Sequence, residues 1–255
     1  MSKYAVITGA SSGIGAEFAR QLSALGYETI LVARRADRLR SLQDELAAPS
    51  KVVEADLSVR SGCMRVMDAL EDQNVEVFIN CAGFGDCGKF IETDEEKESS
   101  MVDVNIKAVH FFTKRVLKYF KEERQGKRYL LNVASSAGLL PAGPYMATYY
   151  ATKAYVTSLT RAVSYEMKQD KSPVYVGCLC PGPVNTEFND VANVSFTLPG
   201  ISAEACVSYA IKKMFQKKTV IVPSLRMRAA VTAGRLLPPC VSIPITARQQ
   251  KKKLG

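Results

Sequence analysis

The chain has no run of about 18 uninterrupted apolar residues, the minimum for a helix that crosses a bilayer, so a transmembrane helix is excluded. Its first residues, MSKYAVITGASSGIG, lack the long apolar stretch and cleavage site of a secretory leader, and a cytoplasmic location is expected. Histidine is nearly absent: His110 stands alone inside VHFFTKRVL. It reads as a helix residue near a core rather than as a catalyst. None of the seven cysteines forms a Cys-x-x-Cys pair, and with one histidine no metal is expected. Their odd number fits free, mostly buried thiols in a reducing compartment. Acidic residues stop at Glu204. Eleven of the 34 basic residues lie in 205–255, which leaves 23 basic against 25 acidic residues before that point. The net charge of +9 is therefore C-terminal. No finger, helix-turn-helix or basic strand interleaved with aromatics accompanies it, so nucleic-acid binding is not expected.

What is present is an ordinary globular balance: 255 residues, 47% hydrophobic, 23% charged, with 16 Gly and 11 Pro. That excludes a disordered chain, a collagen-like repeat and a coiled coil. Short apolar runs at Tyr4–Thr8, Glu28–Val32, Lys51–Glu54, Val75–Asn80, Tyr129–Val133, Val174–Cys180 and Thr219–Pro223 are bounded by Gly, Pro or polar residues. They suit strands buried on both faces of a parallel sheet. Helical periodicity lies between them. Residues 13–25 set Ile14, Phe18, Leu22 and Leu25 on one face, residues 37–47 do so with Leu39, Leu42 and Leu46, and 148–168 run without Pro or Gly. This alternation predicts an α/β fold, a Rossmann doubly wound parallel sheet of about seven strands flanked by helices. No shift in composition marks a second domain, so one domain over 1–255 is expected, with a C-terminal extension from about residue 224.

The first strand runs straight into Gly9-Ala10-Ser11-Ser12-Gly13-Ile14-Gly15, and a helix follows. Glycines let the backbone turn tightly and approach a ligand, and the free N–H groups at the helix start favour a pyrophosphate. The spacing is G-x3-G-x-G rather than G-x-G-x-x-G, so strand, turn and helix together carry this reading. The same residues match the G-x-S-x-G elbow of serine hydrolases, with Ser11 as nucleophile. Against that, only one strand precedes the motif, and His110 is the sole candidate base. After the second strand an NAD-type site places a carboxylate; here the chain reads Val32-Ala33-Arg34-Arg35. Guanidinium groups would hold a 2′-phosphate that a carboxylate would repel, so NADP(H) is expected over NAD(H). The alternative is that Arg34 and Arg35 are a solvated helix start.

Residues 129–153 end a strand in Ser135-Ser136, pass through a Gly/Pro-rich loop and enter a helix holding Tyr149 and Lys153. Their i,i+4 spacing puts both on one helix face, where an ammonium favours phenolate and lowers the tyrosine pKa. A tyrosine tuned in this way exchanges a proton as hydride moves, and Ser136 would hydrogen-bond the substrate oxygen. The spacing alone is weak, since Tyr209 and Lys213 repeat it with no serine or glycine loop and read as a helix surface.

Taken together, the chain resembles the short-chain dehydrogenase/reductase family over nearly its whole length. Thr8 to Gly15 resembles the glycine motif, Asp56-Leu57 the acid that meets adenine, and Asn80-Cys81-Ala82-Gly83 the Asn-Asn-Ala-Gly motif with Cys81 in place of the second Asn. Asn105, Ser136, Tyr149 and Lys153 match the catalytic tetrad, and Pro181-Gly182-Pro183-Val184-Asn185-Thr186 the turn that holds the nicotinamide. The resemblance implies Tyr149 as general acid–base, Lys153 on the nicotinamide ribose and Ser136 on the carbonyl. It further implies Asn105 holding a relay water, and Val184 and Thr186 orienting the carboxamide. Many NADP-preferring members carry a basic residue where this chain has Ser12, so the preference rests here on Arg34 and Arg35.

Loops 84–97 and 137–146 and segment 187–202 are expected to border the substrate and offer Phe84, Phe90, Leu139, Leu140, Met146, Phe188, Phe196 and Leu198. They imply an apolar pocket for a small hydrophobic ketone or secondary alcohol; the alternative is that several only pack. The ending resembles a subset of the family that includes 3-oxoacyl and hydroxysteroid dehydrogenases. Over 225–237 apolar residues alternate with arginines, which suits peripheral contact with an anionic membrane, guidance of an acidic substrate, or a solvated cap. The family implies a homodimer or homotetramer through helices spanning His110–Lys121 and Tyr149–Lys168, with Phe111, Phe112 and Phe120 at the interface. Two other functions stay open: a non-catalytic NADP-binding sensor, and an epimerase or dehydratase on the same scaffold.

Overall fold

The computed structural model describes residues 2–122, 126–192 and 200–252. The sheet strands are β1 (Tyr4–Thr8), β2 (Glu28–Ala33), β3 (Ser50–Glu54), β4 (Val75–Asn80), β5 (Arg128–Val133) and β6 (Val174–Leu179), with the two-residue β7 (Val184–Asn185), β8 (Ile201–Ser202) and β9 (Val220–Ile221). Seven of them form one sheet in the order β3-β2-β1-β4-β5-β6-β9, and β7 and β8 pair separately. Every pairing is parallel. The chain winds outward from β1 to β3 and then crosses to β4, so a crevice opens beyond the C-terminal ends of β1 and β4.

Helices cover both faces: α1 (Gly13–Ala24), α2 (Ala36–Glu45), α3 (Arg60–Asp68), α4 (Glu95–Val102), α5 (Val109–Glu122), α6 (Ala147–Gln169), the short α7 (Phe188–Val191), α8 (Ala203–Phe215), α9 (Leu225–Leu236) and α10 (Pro239–Lys251). Period-2 alternation divides the strand residues between two cores. Ala5, Ile7, Val77, Ile79 and Leu131 pack with Phe18 and Leu22 of α1 and Val207 and Met214 of α8. Val6, Phe78, Leu130 and Val176 pack with Val66 of α3 and Phe112, Val116 and Phe120 of α5. Phe112 and Phe120 are therefore committed inside the chain and are withdrawn as interface residues. Phe111 is half-buried between the guanidinium groups of Arg60 and Arg115. Leu25 caps α1 and is exposed instead of joining its buried face.

Between α4 and α5 the helix widens into a π-helical segment, Asp103–Ala108, that carries Asn105. Such widened turns accompany functional sites more often than ordinary helix does. No helix among the described residues is long and apolar enough to cross a membrane. No disulfide joins any of the seven cysteines, and Cys240 is exposed.

Candidate active site

The turn after β1 is shaped by its glycines. Gly9 sits at φ +69°, and a Cβ there would come within 2.9 Å of the Ala82 main chain. A Cβ on Gly15 would lie 2.1 Å from the Gly9 carbonyl oxygen. The Thr8 hydroxyl accepts from the main-chain N–H groups of Cys81 (2.9 Å) and Ala82 (3.0 Å), which locks the end of β1 to the end of β4. Ser12, at the N-cap of α1, makes no side-chain capping bond. The first-turn N–H groups of that helix have no side-chain acceptor of their own and face the crevice as an anion site. Ser11 is bonded to Arg35, and His110 pairs through Nδ1 with the Tyr155 hydroxyl at 2.7 Å, so the serine-hydrolase reading has no base beside Ser11.

Beyond β2, the Arg35 Nη2 donates to Ser11 Oγ and Ser12 Oγ, both at 3.1 Å. Its Nη1 pairs with Glu187 at 3.3 Å, and Arg38 holds the other Glu187 oxygen at 2.5 Å. The main-chain N–H and hydroxyl of Ser58, with Arg34 nearby, hold the Asp56 carboxyl below its ordinary range despite partial burial.

At the other end of the crevice stand Tyr149 and Lys153, both buried on the inner face of α6. Lys153 Nζ lies 5.8 Å from the Tyr149 ring centroid and donates to the Val133 carbonyl at 3.1 Å. The serine that meets Tyr149 is Ser135, whose hydroxyl donates to the phenol oxygen and also accepts from the Ala137 N–H at 3.1 Å. The contact with the phenol expected of Ser136 is made one residue earlier. A 3-10 turn over Ser136–Leu139 begins immediately after Ser135, and the Ser136 N–H is tied to the Pro181 carbonyl at 2.8 Å. Burial pushes the Tyr149 phenol up to about 12, with the Ser135 bond only partly opposing it. Burial pushes Lys153 down to about 8. Among the protein's own groups, desolvation thus outweighs the acidifying effect expected of the ammonium, and Tyr149 is a neutral phenol over the physiological range.

Asn105 is fully buried, and its side-chain amide is committed to the protein. Its Oδ1 accepts from the Phe84 N–H (3.1 Å), while its Nδ2 donates to the Phe84 carbonyl (2.9 Å) and to Thr152 Oγ1 (3.1 Å). Its side chain pins the loop after β4 to α6 beside Lys153. Asn80, expected to touch the cofactor, lies elsewhere. It is buried beneath the sheet edge, donating at 3.3 Å to the Val109 carbonyl and to Asn132, and it does not line the crevice. Cys81, Ala82 and Gly83 do.

The crevice is one continuous cavity of about 1020 Å³ that takes in Gly9 to Gly15, Arg34, Arg35, Asp56, Leu57, Tyr149, Lys153 and the turn Pro181–Thr186. Its far end is bordered, as expected, by Phe84, Leu140, Met146 and Phe188. Leu139 instead packs beside Val109 and Val156, and Phe90 is exposed. Phe196 and Leu198 lie outside the described residues. Sequence reasoning missed Lys97, which spans from Asp86 (2.6 Å) to the Val191 carbonyl (3.2 Å), and Glu187. It also missed the inner sides of α9 and α10, which supply Met227, Gly234, Thr246 and Gln250 to the wall. No apolar periodicity marks them.

The glycine cradle, the unclaimed N–H groups and the arginine-flanked end fit a dinucleotide. Comparison with known proteins agrees. Residues 3–194 match the family model described as short chain dehydrogenase. An uncharacterized oxidoreductase of Staphylococcus epidermidis is 34% identical over 190 residues, covering 74% of this chain and 80% of that one. Among solved structures, a short-chain dehydrogenase from Sphingobium yanoikuyae in complex with NADPH superposes with a TM-score of 0.81 at 28% identity, covering 92% and 94% of the two chains. A short-chain dehydrogenase/reductase from Burkholderia phymatum in complex with NAD gives 0.83 at 25% identity, covering 91% and 92%.

Proposed function

The chain belongs to the short-chain dehydrogenase/reductase family of oxidoreductases, and from that premise we propose that it reduces a hydrophobic ketone, or oxidises the matching secondary alcohol, with NADP(H). The observation that carries this reading is the convergence of Ser135, Tyr149 and Lys153 on the cavity that begins at the glycine turn. Bound there, the dinucleotide would supply or accept hydride. Gly9 to Gly15 would hold its pyrophosphate, Asp56 and Leu57 its adenine, Lys153 its ribose, and Pro181, Gly182, Val184 and Thr186 its carboxamide end. Ser135 donates toward the carbonyl oxygen, and Tyr149, protonated because it is buried, delivers the proton to that oxygen. The charged Lys153 stabilises the phenolate left behind. Asn105 positions this wall through Phe84 and Thr152.

The test is NADPH oxidation against a panel of acyl ketones, cyclic ketones and small aldehydes, repeated with NADH. Stoichiometric consumption of NADPH is expected. Arg34 and Arg35 support the choice of NADP(H), since both line the cavity directly after β2 in place of a carboxylate, and a 2′-phosphate would compete with Glu187 for Arg35. Replacing both with alanine is expected to lower kcat/KM with NADPH about 10- to 100-fold, the value of one to two charge-assisted hydrogen bonds, and to affect NADH far less. An equal loss with both cofactors, or a wild type that prefers NADH, overturns that preference.

The outer side of the C-terminal segment supports peripheral contact with an anionic lipid surface. Leu225, Leu236 and Val241 are exposed there beside Arg226, Arg235, Arg248 and Lys251, with no acidic residue after Glu204. The protein is expected to co-sediment with anionic vesicles and to be released by salt. Identical behaviour on neutral vesicles removes the idea. Family analogy supports a homo-oligomer through the outer faces of α5 and α6, readable by light scattering.

A further inference from the structure

Helix α10 is built inside out. A helix on a protein surface turns an apolar stripe inward and polar residues outward. Here the buried positions are Ser242 (3% exposed), Thr246 (5%) and Gln250 (4%), while Val241 (43%) is exposed and Ile245 (44%) is exposed at the cavity's edge. The three buried residues follow the i, i+4, i+8 spacing of one helix face, and all three line the cavity.

Their hydrogen bonds have one polarity. Ser242 Oγ donates to the Pro238 carbonyl at 3.3 Å, and Thr246 Oγ1 donates to the Ser242 carbonyl at 3.0 Å. Both hydroxyl protons are used on the helix's own backbone, so only lone pairs remain for the cavity. Gln250 Nε2 donates to the Tyr150 hydroxyl at 2.5 Å, whereas its Oε1 is buried with no partner among the described residues. An unmet buried acceptor is costly, and a ligand donor would recover that cost. Tyr150 is the neighbour of Tyr149, with ring centroids 6.4 Å apart. The stripe therefore reaches to within one ring of the proton-transfer centre.

We propose that Ser242, Thr246 and Gln250 form an acceptor subsite that selects a hydrophobic ligand bearing a second hydroxyl, remote from its reacting oxygen, with Gln250 Oε1 as the principal acceptor. This rests on the reading of the cavity as the site for a hydrophobic ketone or alcohol. Phe84, Leu140, Met146 and Phe188 give the cavity apolar walls, while Lys97, Gln249 and Lys252 add donors to its lining. A line of acceptors set beside apolar walls can discriminate by a single hydroxyl.

The test reads binding rather than turnover, so that it stands apart from the reaction. Linear methyl ketones of graded chain length, ending in a hydroxyl, a methoxy or a methyl group, are titrated calorimetrically into the full-length protein saturated with NADP+, where no ketone can be reduced. At the chain length that spans the cavity, the hydroxyl form is expected to bind about tenfold or more tightly than either partner. Gln250→Leu is expected to abolish that ratio. Should Gln250→Leu not fold, Tyr150→Phe, which frees the amide to turn away, is expected to reduce it. Equal affinities for the three ends, a methoxy form as tight as the hydroxyl form, or no binding at any length overturns the proposal. If the hydroxyl form is preferred but no ketone is reduced with NADPH, the ketoreductase reading fails while the subsite stands.

Discussion

Replacing Tyr149 with phenylalanine is expected to lower ketone reduction ~10³-fold, within the range carried by a positioned acid–base group, while NADPH affinity stays within about twofold. The phenol is buried against Ser135, which keeps its Ala137 bond when the hydroxyl is removed, so the fold should persist. Ser135→Ala should fall with it, and Ser136→Ala should lose much less, because only Ser135 reaches the phenol. The pH profile carries the same mechanism. Reduction needs Tyr149 protonated, a condition met until about 12, and Lys153 charged, a condition met below about 8. Reduction should hold at neutral pH and decline above about 8, and Lys153→Arg should move that decline upward. Oxidation needs the phenolate and should rise with pH. A Tyr149→Phe protein with intact turnover would sink the acid–base assignment. Unchanged function in the cell would favour a nucleotide-sensing binder, and product formation without net NADPH consumption would favour an epimerase or dehydratase.

A comparably large effect is expected from Gly15→Ala, and here it falls on cofactor binding. The added Cβ would sit 2.1 Å from the Gly9 carbonyl oxygen and 2.7 Å from its carbon, both backbone atoms that no rotamer change can move. The turn must open, which misplaces the first-turn N–H groups of α1 relative to the pyrophosphate. A shift of about 1 Å at such a site costs on the order of 100-fold, and overpacking destabilises the fold by about 1–3 kcal/mol. Fluorescence titration with NADPH, read beside a thermal melt, separates the two effects. Wild-type affinity in the variant would mean that the glycine turn does not carry the pyrophosphate.

What was legible from the residues alone is what local rules encode. Short β-rich runs placed all seven sheet strands within about two residues, since buried parallel strands are apolar on both faces. Strand, glycine turn and helix located the dinucleotide cradle, and helical periodicity put Tyr149 and Lys153 on one face. Other features came only from chain segments brought together across the fold. Ser135 rather than Ser136 meets the phenol because a 3-10 turn starts between them. Asn80 turns under the sheet because Asn132 and the Val109 carbonyl wait there, more than twenty residues away in sequence. The basic tail read as a surface feature, yet its last helix turns serine, threonine and glutamine toward the cavity, which an amphipathicity argument assigns to solvent. The phenol's acidity depended most on tertiary structure. The i,i+4 lysine was plain from spacing, but desolvation is set by everything packed around both groups, and it outweighed that single charge.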